Sequence, residues 1–173
     1  YIIHWWIDER QLDDGQFGGG WGDDCEMWRW WTPALIGFRD PKIVAGQEKL
    51  SNAIYSLERM SAGYTSHMSD VEHTAEDSTD SCLPMMNLKP DDPVWRGRAA
   101  RLAQLAREVW MGRNRRGFLQ FKSTYFNAFK VHDNPQYACD TVYHTRALDP
   151  ALLLWMRTGD EKIGELITAW MDT

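Results

Sequence analysis

Apolar residues fall at helical spacing along most of the chain. Met27, Trp28, Trp31, Leu35 and Phe38 share one face, and Val44, Leu50, Ile54, Leu57 and Met60 share a second. Ala99, Leu102, Ala103, Ala106, Val109 and Trp110 share a third. The first helix is predicted to begin at Asp23 or Asp24, where a carboxylate caps free backbone N–H groups and meets the positive end of the dipole; Pro33 is placed to kink it. Asp40-Pro41 is a cap followed by proline at the first helical position, and it opens a second helix that Gly63 ends. The third opens at Pro93 and is broken by Gly112 to Gly117, with Arg96, Arg98, Arg101 and Arg107 read as its solvated face. The final stretch reads as two helices, broken near Asp149-Pro150 and Gly159-Asp160.

Between these helices the pattern changes. Asp8 to Gly22 holds five glycines and four acidic residues without a usable period and reads as a long loop. Phe118 to Phe129 alternates roughly and predicts an extended segment or short hairpin strand near 118–127. Ser69 to Met86 supports two readings, a short helix capped by Ser69 or an acidic loop. One internal correspondence ties the ends together. Thr32-Pro33-Ala34-Leu35 recurs as Asp149-Pro150-Ala151-Leu152; each follows a candidate cap, Asp23 or Asp140, and each precedes an Asp-x-Lys-Ile step at Asp40 and Asp160. A helix, a turn and a returning helix, repeated about an axis, is how α-hairpin solenoids and toroids bury their apolar faces. The expected fold class is therefore all-α, built of helical hairpins over residues 1–173 as a single domain.

Composition narrows the function. The 173 residues carry 19 Lys+Arg against 25 Asp+Glu, a net charge of −6, which argues against a protein whose main partner is nucleic-acid phosphate. No stretch approaches the ~20 apolar residues of a membrane span. Cys25, Cys82 and Cys139 form no CxxC pair and no disulfide framework. Ten tryptophans are more than a core needs, and six of them lie in the first 31 residues. Trp28, Trp31, Trp110, Trp155 and Trp170 fit helix packing; Trp5, Trp6 and Trp21 instead flank the glycine-rich loop.

Two segments resemble a known group of enzymes. The helix turn Thr158 to Trp170 (TGDEKIGELITAW), preceded by LLLWMR, resembles the hairpin turns of (α/α)6-toroid carbohydrate-active enzymes, the six-hairpin glycoside hydrolases and related polysaccharide lyases. Gly15 to Asp24 (GQFGGGWGDD) is similar to their substrate-cleft loops. The resemblance implies an incomplete toroid, with about six of about twelve helices present, and a chain that is part of a larger catalytic domain. It implies a carbohydrate substrate and leans to a periplasmic or secreted location, which the cysteines leave open. The Gly-Gly-Trp turn also resembles terpene-cyclase and prenyltransferase toroids, although no DxDD motif or metal triad is present. A non-catalytic glycan-binding or structural helical module is the third reading.

Candidate chemistry follows from residue type. Indole rings match the apolar faces of sugars and carboxylates accept hydrogen bonds from hydroxyls, so Trp5, Trp6 and Trp21 beside Asp23 are candidate substrate contacts. Asp23, Asp24 and Glu26 exceed what one helix cap requires, and Asp24 and Glu26 are candidate catalytic acids. In and just after the run Asp70 to Asp77, Glu72, Glu76 and Asp80 would stack on one helical side, with His73 and Asp77 beside them. Like charges at that spacing repel, so the pattern suggests a site: His73 and Glu76 in acid–base roles, or a divalent cation on Glu72, His73, Glu76 and Asp77. Hydrolysis would draw two carboxylates from these two groups. Elimination from a uronate would need a neutralising group and a base, for which Arg113, Asn114, Lys122 and His144 with Tyr125 are the candidates.

Overall fold

A computed structural model of the chain describes residues 1–132 and 141–172; the predicted cap at Asp140 and Cys139 lie outside the described residues. Seven α-helices account for most of them: α1 (Ile2–Arg10), α2 (Trp21–Phe38), α3 (Pro41–Tyr55), α4 (Val71–Leu88), α5 (Pro93–Leu105), α6 (Thr141–Thr158) and α7 (Glu161–Met171). The class is all-α, as the periodicity predicts.

The repeat glimpsed in sequence occurs three times. The pairs α2–α3, α4–α5 and α6–α7 each start with an 18-residue helix containing one proline: Pro33, Pro84 or Pro150. Each second helix starts at an aspartate whose side chain accepts from the first turn: Asp40 from Lys42 and Ile43, Asp92 from Val94, Asp160 from Ile163. Helix α4 is the centre of the arrangement, packed by α2, α3, α5 and α6. No helix among the described residues is long and apolar enough to cross a membrane.

Several boundaries differ from those read in sequence, each for a local reason. The N-terminal loop is only residues 11–20, since Asp8, Glu9 and Arg10 belong to α1. Helix α2 starts at Trp21 on an N-cap Gly20, because Asp24 turns back to the loop rather than capping. Helix α3 stops at Tyr55, and Met60 reaches the core through a separate 3₁₀ turn, Glu58–Met60. Helix α6 runs through Asp149-Pro150 unbroken: Ala147, Leu148, Ala151 and Leu154 are buried on both sides of the proline, and that packing outweighs one lost backbone bond. The arginines of α5 and of the turn that follows it are not merely solvated. Arg98 lies 4.0 Å over both the Tyr55 and Trp95 rings, Arg101 donates to the Ala62 carbonyl and Arg107 to that of Lys162.

Between α5 and α6 the chain makes a π turn (Ala106–Trp110) and two small antiparallel pairings. Strand β2 (Met111–Arg113) pairs with β3 (Leu119–Phe121); β3 falls within the extended segment expected near 118–127, while β2 lies before it. Strand β4 (Tyr125–Phe126) returns to pair with β1 (Ser69–Asp70), setting Tyr125 opposite Asp70 at the start of α4. Two apolar clusters fill the interior. One joins Phe17, Cys25, Trp28, Leu35, Leu50 and Ile54; the other is centred on Trp95, Leu102, Trp110, Phe121 and Phe126, with Tyr55 and Leu88 touching both.

Candidate functional site

The residues of α4 from Thr74 to Cys82 are all buried, although most are polar. Their polarity is satisfied internally. Thr79 Oγ1 donates to the Ala75 carbonyl and Ser81 Oγ to that of Asp77; Tyr64 donates to Thr74 Oγ1, and Tyr55 to the Ser78 carbonyl. Two acids are paired across helices. Arg59 Nη2 donates to Asp77 Oδ1 at 2.9 Å, and Arg146 on α6 forks onto both oxygens of Asp80, its Nε at 3.0 Å. Burial raises both carboxyls and the arginines pull them back down, with the net position above the ordinary value.

Glu76 is different. It is 6% exposed, and no described residue donates a hydrogen bond to it. Its carboxyl oxygens group with those of Glu26 and Glu72, one atom of each lying within 4.8 Å of the others. Burial, reinforced by the Glu26 charge and opposed by Arg146 and His73, pushes its pKa up to about 7. Glu26 is 3.8 Å from Arg146 Nη2. His73, exposed at the start of α4, sits 2.8 Å from Asp70 Oδ1, and that carboxylate raises its imidazole pKa.

Glu76 and Asp77 wall a cleft of about 300 Å³. Opposite them stands the first turn of α2 with Gly20, Trp21, Gly22 and Asp23; Arg59, His67, Ser69 and His73 complete it. Helix α2 comes so close to α4 that a Cβ on Gly22 would lie 2.9 Å from Glu76 Oε2. Only the end of the Glu76 side chain must give way to that Cβ, and alanine is the better helix former, so Gly22→Ala should change stability by less than about 1 kcal/mol in chemical denaturation.

The other predicted site residues divide by location. Trp21 and Asp23 line the cleft, Trp21 half-buried and Asp23 exposed. Asp24 is buried and accepts from the Phe17 amide at 2.6 Å and the Gly19 amide at 3.0 Å, so it pins the glycine-rich loop. Asp24→Ala should cost about 1.5–3 kcal/mol and open residues 17–20 to proteolysis, read by limited digestion. Trp6 packs on Phe17 and Trp31, and the half-exposed Trp5 stands edge-on to it. Arg113, Asn114 and Lys122 lie on the β2–β3 hairpin around a separate hollow; Arg113 donates to Gly117, Asn114 to Gln120 and Lys122 to Val109. His144 is buried, stacked 4.1 Å from Phe121, with Nε2 3.0 Å from the Ser123 carbonyl. Tyr125 is held by β4 beside Asp70.

Of the four groups read as a cation set, Asp77 is taken by Arg59 and His73 by Asp70. The oxygen cluster runs instead through Glu26, Glu72 and Glu76, and a second one through Asp70, Glu72 and His73. Arg59, His67 and Arg146 were not singled out in sequence, because each acquires its role only from a distant partner; Asp80, read as stacking with Glu72 and Glu76, is instead taken by Arg146. A larger, mostly apolar hollow of about 380 Å³ lies between α6 and α7, where burial pushes Asp149 up to about 6. No protein-family model, curated protein or solved structure matches the chain.

Proposed function

We propose that the protein is a carbohydrate-active enzyme that cleaves a polysaccharide or oligosaccharide in the cleft between the first turn of α2 and α4. The observation that carries this reading is the condition of Glu76. A buried carboxyl with no hydrogen-bond donor among the described residues, lying against other acids and titrating near neutrality, is suited to proton transfer at neutral pH. Trp21 offers a flat apolar face for a sugar ring on the opposite wall. Three successive helical hairpins support the resemblance to α/α toroids, of which they would form half of a six-hairpin ring.

For hydrolysis, Glu76 is the proton donor and Glu26 or Glu72 the second carboxylate. Their oxygen spacing, within 4.8 Å, is nearer the roughly 5–5.5 Å of retaining pairs than the roughly 6.5–9.5 Å of inverting ones. For elimination, His73 or Tyr125 is the candidate base, since both are anchored at the start of α4. The test is a panel of polysaccharides followed by reducing-end release and by absorbance of the unsaturated uronide. Both channels rise on elimination, and only the first on hydrolysis. Silence in both across the panel defeats the reading.

A further inference from the structure

Aligned on Pro33, Pro84 and Pro150, the three hairpins repeat one packing step. Helix α4 packs on both α2 and α3, and α6 packs on both α4 and α5, so each new first helix lies against the hairpin before it. In α6, Arg146, four residues before the proline, reaches back to Asp80. Beside it around the helix, Ala147, Pro150 and Leu154 are buried. At the same positions of α4, Ser81 and Pro84 are buried and Leu88 is half-buried. In α2 they are Trp30, Pro33 and Gly37, and all three are exposed, Trp30 at 67%.

The receiving groove keeps the same register. Its first helix contributes the residues five and one before the proline and two after it. Its second helix contributes those seven, ten and eleven past the capping aspartate. In the middle hairpin these are Thr79, Leu83 and Met86 with Ala99, Leu102 and Ala103, and all but Leu83 are buried. In the third they are Thr145, Asp149 and Leu152 with Ile167, Trp170 and Met171, and they surround the hollow of about 380 Å³. Met171 is 70% exposed there. Asp149 puts a carboxyl into that mostly apolar wall and accepts no hydrogen bond from a described residue. The matching cation is on the exposed side of α2. Arg29 holds the position that Arg146 holds in α6, and its guanidinium lies 5.0 Å over the Trp30 ring.

We infer that a second copy of this chain occupies the groove, its α2 laid against α6 and α7 as α6 is laid against α4 and α5. Trp30, Pro33 and Gly37 of one copy cover Leu152, Trp170 and Met171 of the other, and Arg29 comes to Asp149. Stacked repeats bury each face against the next, and the chain already makes this step twice within itself. The contact joins two different faces, so it is head to tail, and two copies that close on each other bury both faces of each. It holds whether or not the cleft cleaves glycans.

The test is analytical ultracentrifugation of the whole chain from about 1 to 200 μM, with one variant on each face. Gly37→Glu sets a charge on the α2 face where a side chain meets nothing within 4 Å in its own chain, and glutamate is the better helix former. Met171→Glu sets one in the groove. The expected result is a concentration-dependent dimer that either substitution weakens at least about tenfold, with circular dichroism unchanged. An equimolar mixture of the two variants keeps one intact contact, and should form a 1:1 pair more tightly than either variant pairs with itself. A folding defect cannot produce that recovery. A chain that stays monomeric throughout overturns the inference and leaves the groove to a different helical partner. So does association that both variants share with the parent, or a mixture no tighter than its components.

Discussion

Glu76→Gln is expected to slow glycan cleavage by about 10²–10⁴-fold and, at the same time, to raise thermal stability at alkaline pH. The two effects share one cause. In the folded protein Glu76 titrates near 7, against an ordinary value of 4.5, because burial penalises its charge. Well below pH 4.5 the group is neutral in both folded and unfolded chains and costs nothing, and at pH 4.5 only the unfolded chain has begun to ionise, so the cost is still small. As pH rises from 4.5 to 7 the unfolded chain releases its proton more readily, so folding stability falls, and above pH 7 the loss is complete. The amide never ionises. The variant should therefore gain about 1–3 kcal/mol above pH 7, or several degrees in melting temperature for a chain of this length, and almost nothing at pH 4.5. Paired thermal melts from pH 4.5 to 8.5 check it. A gain that is the same at every pH would show that charge on Glu76 is not its source, and full cleavage by the variant would remove Glu76 from the chemistry.

The largest loss of stability is expected one turn further along α4, at Asp80. Arg146→Met leaves Asp80, 4% exposed, without the guanidinium that spans both its oxygens, and should cost about 3–5 kcal/mol in urea unfolding. Arg29 Nη1, 3.9 Å from Asp80 Oδ2, compensates weakly. The paired change Arg146→Met/Asp80→Leu removes both charges and should return stability to near the starting value, because two buried ions are replaced by apolar packing. If the double variant is as unstable as the single one, the contribution of Arg146 lies in its shape and packing rather than in the pair. Since Arg146 is also 3.8 Å from Glu26, the double variant should shift the pH profile of cleavage as well.

Both predictions concern residues whose environment comes from far along the chain, and that marks where sequence reading stops. The helix starts at Asp40 and Pro93 and the break at Gly159-Asp160 were legible because their causes are local: an aspartate oxygen reaching an amide two or three residues on, a fixed proline φ, a glycine at φ +67°. The apolar face of α5 was legible for the same reason, as was the extended β3 segment, whereas β2 falls where only a break was read. At the site, the acidic run Glu72 to Asp77 and Trp21 beside the glycine-rich loop stood out, and the fold sets Trp21, His73, Glu76 and Asp77 around one cleft.

Helix α4 shows the limit most clearly. Read alone, Ser69 to Met86 supports an acidic loop as well as a helix, since its polar residues have no partners nearby in sequence. The fold makes it the central helix because Arg59 is brought to Asp77 and Arg146, 66 positions away, to Asp80. The sequence by itself determined the helical class, the hairpin repeat and the residue types gathered around α4. Only the tertiary structure decided which acids are neutralised and which one, Glu76, stays buried without a hydrogen bond from the described residues. The physical reason is that helix periodicity and capping act over a few residues, whereas desolvation and ion pairing depend on which distant side chains the packing sets beside a carboxylate.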